Sequence, residues 1–209
     1  DGPDCGREGT GENADPNVIT VGTDVFAIDR RTGLAVNDAK YLPADAVAHE
    51  GLVNKFPFDA EKKDYPFWDN LLGRAVTATF DGTEKVNDLE AYRWVIKVDQ
   101  EPAVVTGDIE GLYTSEKTIL ADPTTGAIVR QTQKELRTTA DGDVLLDLDI
   151  AFTPEQTKAD VDTAKDNGQL ISLVTKVIPI VGFVGGALLL LGGGFLITSG
   201  AARKSQRKA

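Results

Sequence analysis

The side chains best equipped for acid–base or metal chemistry are 33 Asp and Glu residues and a single histidine, His49. An imidazole-based triad would have to use His49, and no G-x-S-x-G elbow accompanies it. It reads as a loop or surface histidine. One cysteine and one histidine cannot make a zinc cluster. Asp141, Asp143, Asp147 and Asp149 alternate along the chain, but the apolar residues between them do not fit a Ca²⁺ loop. They read as a turn followed by a solvated strand face. Gly192-Gly193-Gly194 lies inside an apolar run and follows no strand, so it is not a phosphate loop. Glycosidase chemistry needs two carboxyls roughly 5–9 Å apart, a separation that spacing along a chain does not specify. No catalytic set, metal or organic cofactor is predicted.

Binding chemistry is concentrated elsewhere. Phe56, Phe58, Tyr65, Phe67 and Trp68 crowd one stretch, NKFPFDAEKKDYPFWDNLL, with Pro57 and Pro66 breaking any regular element. Lys62 and Lys63 sit between the two aromatic clusters. Aromatic loops of this kind pack on a domain body or bind sugars, lipids or a partner. Tyr65, Phe67 and Trp68 are the candidates for apolar or sugar contact, and Lys62 and Lys63 for anionic headgroups. The alternative reading of all five is a packed, capping loop.

The elements around this stretch read mostly as strands between positions 18 and 152. VITVGTDVFAID and LAVN flank Asp29-Arg30-Arg31-Thr32-Gly33, and TILA and AIVRQ flank Asp122-Pro123-Thr124-Thr125-Gly126. Both breaks are D-x-x-T-G turns, in which Asp accepts from turn amides and Gly supplies positive φ. They predict two hairpins and hint at an internal echo. AVTATFDG is expected to turn at Asp81-Gly82, and GDVLLDLDIAF at Asp141-Gly142. Tyr92, Trp94, Ile96 and Val98 alternate onto one face, as do Leu146, Leu148, Ile150 and Phe152. The period then changes. Thr153 reads as an N-cap, Pro154 as the first helical residue and Gln156 as the end of a capping box. This helix is expected to stop at Asn167-Gly168, with a second helix from Gln169 leading onward.

That second helix enters the clearest segment in the chain. Val177 to Thr198 reads VIPIVGFVGGALLLLGGGFLIT without a charge. Crossing about 30 Å of hydrocarbon takes about 20 such residues. Pro179 is expected to kink the helix near the outer interface. Gly182 and Gly186 form a G-x-x-x-G pair, a candidate helix-packing face. Arg203, Lys204, Arg207 and Lys208 follow, so the positive-inside rule puts the tail in the cytoplasm and the rest outside. The whole chain carries a net charge of −11, and the part before the span is more acidic still. An acidic domain of this kind has no electrostatic footprint for nucleic acid.

Residues 1–17 are rich in Gly and acids and read as a flexible loop. The chain has no methionine, and an exported domain needs an export signal. The expectation is that it starts mid-protein. Cys5 is then a candidate for a disulfide to a missing segment, or a free thiol.

FPFDAEKKDYPFWDNLLGRAV (Phe56–Val76), FDGTEKVNDLEAYRW (Phe80–Trp94), ADPTTGAIV (Ala121–Val129) and the C-terminal span together resemble the actinobacterial porin-PorA-like family of unknown-function domains. That family includes mycobacterial and corynebacterial envelope factors linked to lipomannan maturation, mycolate-lipid trafficking and polar growth. The resemblance implies a span at each end of the full protein, an elongated β-barrel-like body similar to lipid-handling receptors of the CD36 type, and an apolar cavity. It also implies that an N-terminal half supplies further strands, which fits an unpaired Cys5.

The predicted fold is mainly β, an elongated barrel-like or sandwich-like extracytoplasmic domain over 18–152. Juxtamembrane helices follow over 153–176, a transmembrane helix over 177–199 and a basic cytoplasmic tail over 200–209. The predicted function is that of a membrane-anchored, non-enzymatic accessory protein of envelope assembly. It binds or traffics lipid or lipoglycan on the outer face of the cytoplasmic membrane, with envelope transport or biosynthesis proteins as partners. The alternatives are a structural subunit of a lipid transport complex, a porin or channel, and an envelope hydrolase.

Overall fold

The computed structural model describes residues 23–190. Its centre is one antiparallel sheet in meander order: β1 (Tyr65–Asp69), β2 (Arg74–Val86), β3 (Leu89–Thr106), β4 (Ile109–Ala121), β5 (Ile128–Thr139) and β6 (Val144–Ala151). The mainly-β expectation holds, but the sheet is open. β1 and β6 are its two ends, so it forms neither a closed barrel nor a sandwich among the described residues. Among the described residues, the strands expected before β1 reduce to single bridges, Ile28 with Ala35 and Leu34 with Leu52.

Local sequence explains the turns. β2 and β3 meet through Asn87-Asp88, with Val86 paired to Leu89 and Asn87 at φ 53°. Asn tolerates that left-handed backbone better than most residues. The turn expected at Asp81-Gly82 is instead a β-bulge inside β2, between Phe80 and Thr83. Gly and Asp serve a bulge as well as a turn, and the ladder continues past it. Pro102 lies deep in β3, yet β2 pairs with β3 only between Leu89 and Ile96. Beyond that point one side of β3 is an edge, where a missing N–H costs no ladder bond.

One face of the sheet carries the main core. Trp94, Ile119, Ala78 and Ala121 are fully buried there, with Ile96, Tyr65 and Phe67 close behind. The alternation of Tyr92, Trp94, Ile96 and Val98 is therefore real. Phe56 covers this face, its ring stacked on Trp94 at 3.9 Å and 20°. Toward β5 the same face becomes polar. Glu135 accepts from Arg137 Nε at 2.6 Å and from Gln133 Nε2 at 2.8 Å, and Tyr113 donates to Asp69 at 3.2 Å.

The two D-x-x-T-G turns are the same device. Asp29 Oδ1 accepts from the amides of Arg31 and Thr32, and Asp122 accepts from those of Thr124 and Thr125. The amides of Thr32 and Arg31 hold the Asp29 carboxyl below the usual carboxylate range. Gly33 and Gly126 close the turns at φ 71° and 72°. Both glycines also abut the Phe56-Pro57 backbone. A Cβ on Gly126 would fall 2.0 Å from the Phe56 carbonyl oxygen. The second turn then fastens the segment: Phe56 N donates to Gly126 O and Ala60 N to Pro123 O, both at 2.8 Å.

α1 (Pro154–Ser172) packs on the opposite face through Thr157, Val161 and Ala164, against Val86, Ala91, Leu120 and Val129. Thr153 caps it by accepting from Gln156 N at 3.1 Å. The Gln156 side chain does not complete a capping box; it donates to Asp160 instead. The stop expected at Asn167-Gly168 is absent, and one helix runs from Pro154 to Leu190. Once nucleated, a helix extends at little cost per residue, so one Asn-Gly pair does not end it. A π turn over Leu173–Val177 lies directly before Pro179. It gives the chain local room where proline removes an N–H and crowds the preceding turn. The helix is long and apolar enough to cross a membrane, and none of its most apolar part is buried. Cys5, the rest of the span and the basic tail lie outside the described residues.

Two phenylalanines two positions apart should therefore behave differently. Phe56→Ala is expected to cost about 3–5 kcal/mol in urea unfolding of the full chain. Phe58→Ala, which removes a ring 45% exposed, should cost about 0.5 kcal/mol or less. Equal losses would contradict this account of the core.

Candidate functional site

The aromatic residues singled out in the sequence do not share an exposed platform. Tyr65, Phe67 and Trp68 are all buried. Tyr65 and Phe67 face Phe56 inside the main core, and the Tyr65 hydroxyl accepts from Glu61 N at 3.0 Å. Trp68 points to the other side of β1 and meets the His49 ring at 4.5 Å. Lys62 and Lys63 stay outside. Lys62 Nζ lies 5.1 Å from the Tyr92 ring, while Lys63 pairs with Glu61 at 2.5 Å. The Lys63 carbonyl accepts from Trp94 Nε1 at 2.9 Å. This loop thus caps the core and leaves its two lysines on the rim.

His49 is a loop residue, as expected, but not a surface one. It is buried, with Nδ1 2.8 Å from the Val47 carbonyl and Nε2 2.8 Å from Asp24 Oδ2. It fastens the segment before β1 to Trp68. Gly182 and Gly186 share one face of the helix, with nothing within 4 Å of where their Cβ atoms would be. That face is open in a single chain.

Two sizeable concavities among the described residues bear on function. One, of about 740 Å³, lies over the outer face of β2, β3 and β4. It is lined by Thr77, Thr79 and Thr118, and its cations have acids of their own. Arg74 pairs with Glu101, Arg93 with Asp81 at 2.7 Å, and Lys97 with Glu116 at 3.4 Å. Its charges are internally compensated.

The other, of about 780 Å³, is more apolar. It lies between the Asn54–Phe58 loop, the end of the β4–β5 turn and the flank of α1. Phe58, Ile128, Phe152, Leu170 and Ile171 form its apolar wall, and Lys55 stands on its loop side. Phe58, Phe152 and Leu170 are 45%, 36% and 61% exposed, so they offer apolar surface to whatever enters. Lys55 Nζ lies 3.8 Å from the centre of the Phe58 ring. Burial pushes its ammonium below the ordinary lysine range. This groove is the candidate site. It suits an amphiphile, with an apolar wall and one partly desolvated cation.

Sequence reasoning missed the groove because Phe56 and Phe58 look like one cluster. The chain sends the first into the core and leaves the second outside. Phe152 carried the only advance signal, as the last apolar residue of the β6 alternation.

The family model described as porin PorA matches residues 5–195. The chain belongs to that family. No curated protein sequence matches it at a significant level. The match spans the sheet, α1 and much of the apolar helix, so groove and helix belong to one family unit.

The two loop lysines give a direct check. Lys63 is held above the ordinary lysine range by its hydrogen bond to Glu61, while burial holds Lys55 below it. In amine labelling read by mass spectrometry across alkaline pH, Lys55 should reach half-maximal reactivity at lower pH than Lys63. The reverse order would rule out a desolvated Lys55.

Proposed function

We propose that this PorA-family chain is a membrane-anchored, non-enzymatic accessory protein of cell-envelope assembly. It takes up or hands on a lipid or lipoglycan at the outer face of the cytoplasmic membrane. The observation that carries this reading is the apolar groove built against α1, the helix that continues into the apolar span. The groove reaches Leu170 and Ile171, a few residues before the apolar span on the same helix. The basic residues after the span support a cytoplasmic tail and an outward-facing domain.

A second reading is favoured by the family's description as a porin. The described sheet does not close on itself. A pore would then draw on further strands or further copies, and the Gly182–Gly186 face offers a helix contact for copies.

Two measurements on the purified full-length protein separate these readings. Mass spectrometry should find co-purifying lipid, and Leu170→Glu, which puts a charge in the groove wall, should strip most of it. Planar bilayers should show no discrete conductance. Lipid-free protein that gives stable conductance steps would replace the carrier reading with the pore.

A further inference from the structure

We infer that the groove selects an anionic amphiphile: a membrane lipid with a phosphate or carboxylate head at Lys55 and an acyl chain along Phe58, Ile128, Phe152 and Leu170. This rests on the lipid-binding reading above and adds the charge of the ligand.

The first support is the state of Lys55. It is half-buried, and among the described residues it makes no ion pair within 4.0 Å. Its neighbour is the Phe58 ring, which attracts a cation without neutralising it. In the threonine-lined concavity, by contrast, Arg74, Arg93 and Lys97 each hold an acid. A partly desolvated ammonium without a counterion is costly, and an incoming anion relieves that cost. The groove's own acid does not serve. Both Asp160 oxygens accept from Gln156 Nε2 at 2.9 Å, and burial alone accounts for the depression of Lys55.

The second support is the path to the site. Leu170, Leu173, Val174 and Val177 are 61%, 46%, 60% and 46% exposed, at the spacing that places residues on one helix face. This stripe runs from the groove wall into the apolar span over about 10 Å. An acyl chain stays against apolar surface along the whole route. The head travels beside it and meets its counterion at the groove.

The test uses full-length protein in detergent, offered equal amounts of dipalmitoyl phosphatidylglycerol and dipalmitoyl phosphatidylcholine. Bound lipid is counted by mass spectrometry after gel filtration. Wild type should enrich the anionic lipid several-fold. Lys55→Gln should bring the ratio close to one while total bound lipid stays the same, and Lys55→Arg should keep the preference. Glycerol 3-phosphate at matched concentration should not displace the anionic lipid. Equal binding of both lipids by wild type, or an unchanged ratio in Lys55→Gln, overturns the anionic assignment and leaves lipid binding standing. Displacement by glycerol 3-phosphate assigns Lys55 to a free anion and overturns the lipid head. No retention of either lipid overturns both readings.

Discussion

The face-to-face contact of Phe56 with Trp94, at 3.9 Å, is the constraint on which the rest depends. A six-stranded open sheet has an apolar face to cover, and no second sheet covers it among the described residues. An irregular segment does so instead. Such a segment needs its backbone groups bonded, because unpaired amides under a fold are costly. The β4–β5 turn supplies the partners through Gly126 O and Pro123 O. A glycine is required at 126 because the Phe56 carbonyl occupies the space of a Cβ. One turn therefore ends a strand, fixes the cover of the core and places the next residues, Lys55 and Phe58, beside α1.

Much of the sheet was legible in the sequence because strand alternation is a strong local signal. Tyr92, Trp94, Ile96 and Val98 fell on one face as period two requires. The D-x-x-T-G turns were legible for the same reason, since their hydrogen bonds lie within five residues. Features set by distant contacts were not legible. Asp81-Gly82 has turn chemistry, but the long ladder with β3 carries the strand past it as a bulge. The burial of His49 was not legible because Asp24, Phe26 and Trp68, which surround it, are remote in the chain. The aromatic stretch reads as irregular, with Pro66 as a breaker, yet Pro66 lies inside β1, an edge strand that tolerates a missing N–H, and which rings turn inward depends on the sheet beneath it.

The helix shows the opposite balance. Its N-cap at Thr153 and Pro154 was readable residue by residue, and so was its apolar span. Its continuity was not. Asn167-Gly168 has the composition of a stop, yet the apolar residues from Leu170 onward favour helix, and Val161 and Ala164 anchor the preceding turns on the sheet. The consequence is mechanical. The tip of the β2–β3 hairpin is tied to the same helix through Asp88 and Lys165. Sheet and groove are thus joined to the apolar segment by one continuous helix, with a π turn rather than a loop between them.

Charge gives this arrangement its sense. An acidic chain of net −11 is repelled by an anionic membrane surface, and a tether alone would let the domain stand off from it. The groove works against that field at a single point. Its wall is apolar, and its cation has a lowered proton affinity because water is partly excluded, not because an acid is near. Long-range repulsion and short-range attraction then act over different distances. The first is screened beyond roughly 8 Å at physiological salt. On the lipid-binding proposal, the second operates only on a head brought into the groove by its acyl chain. On the same proposal, such a surface would discriminate between an anionic bilayer as a plane and one anionic lipid drawn out of it.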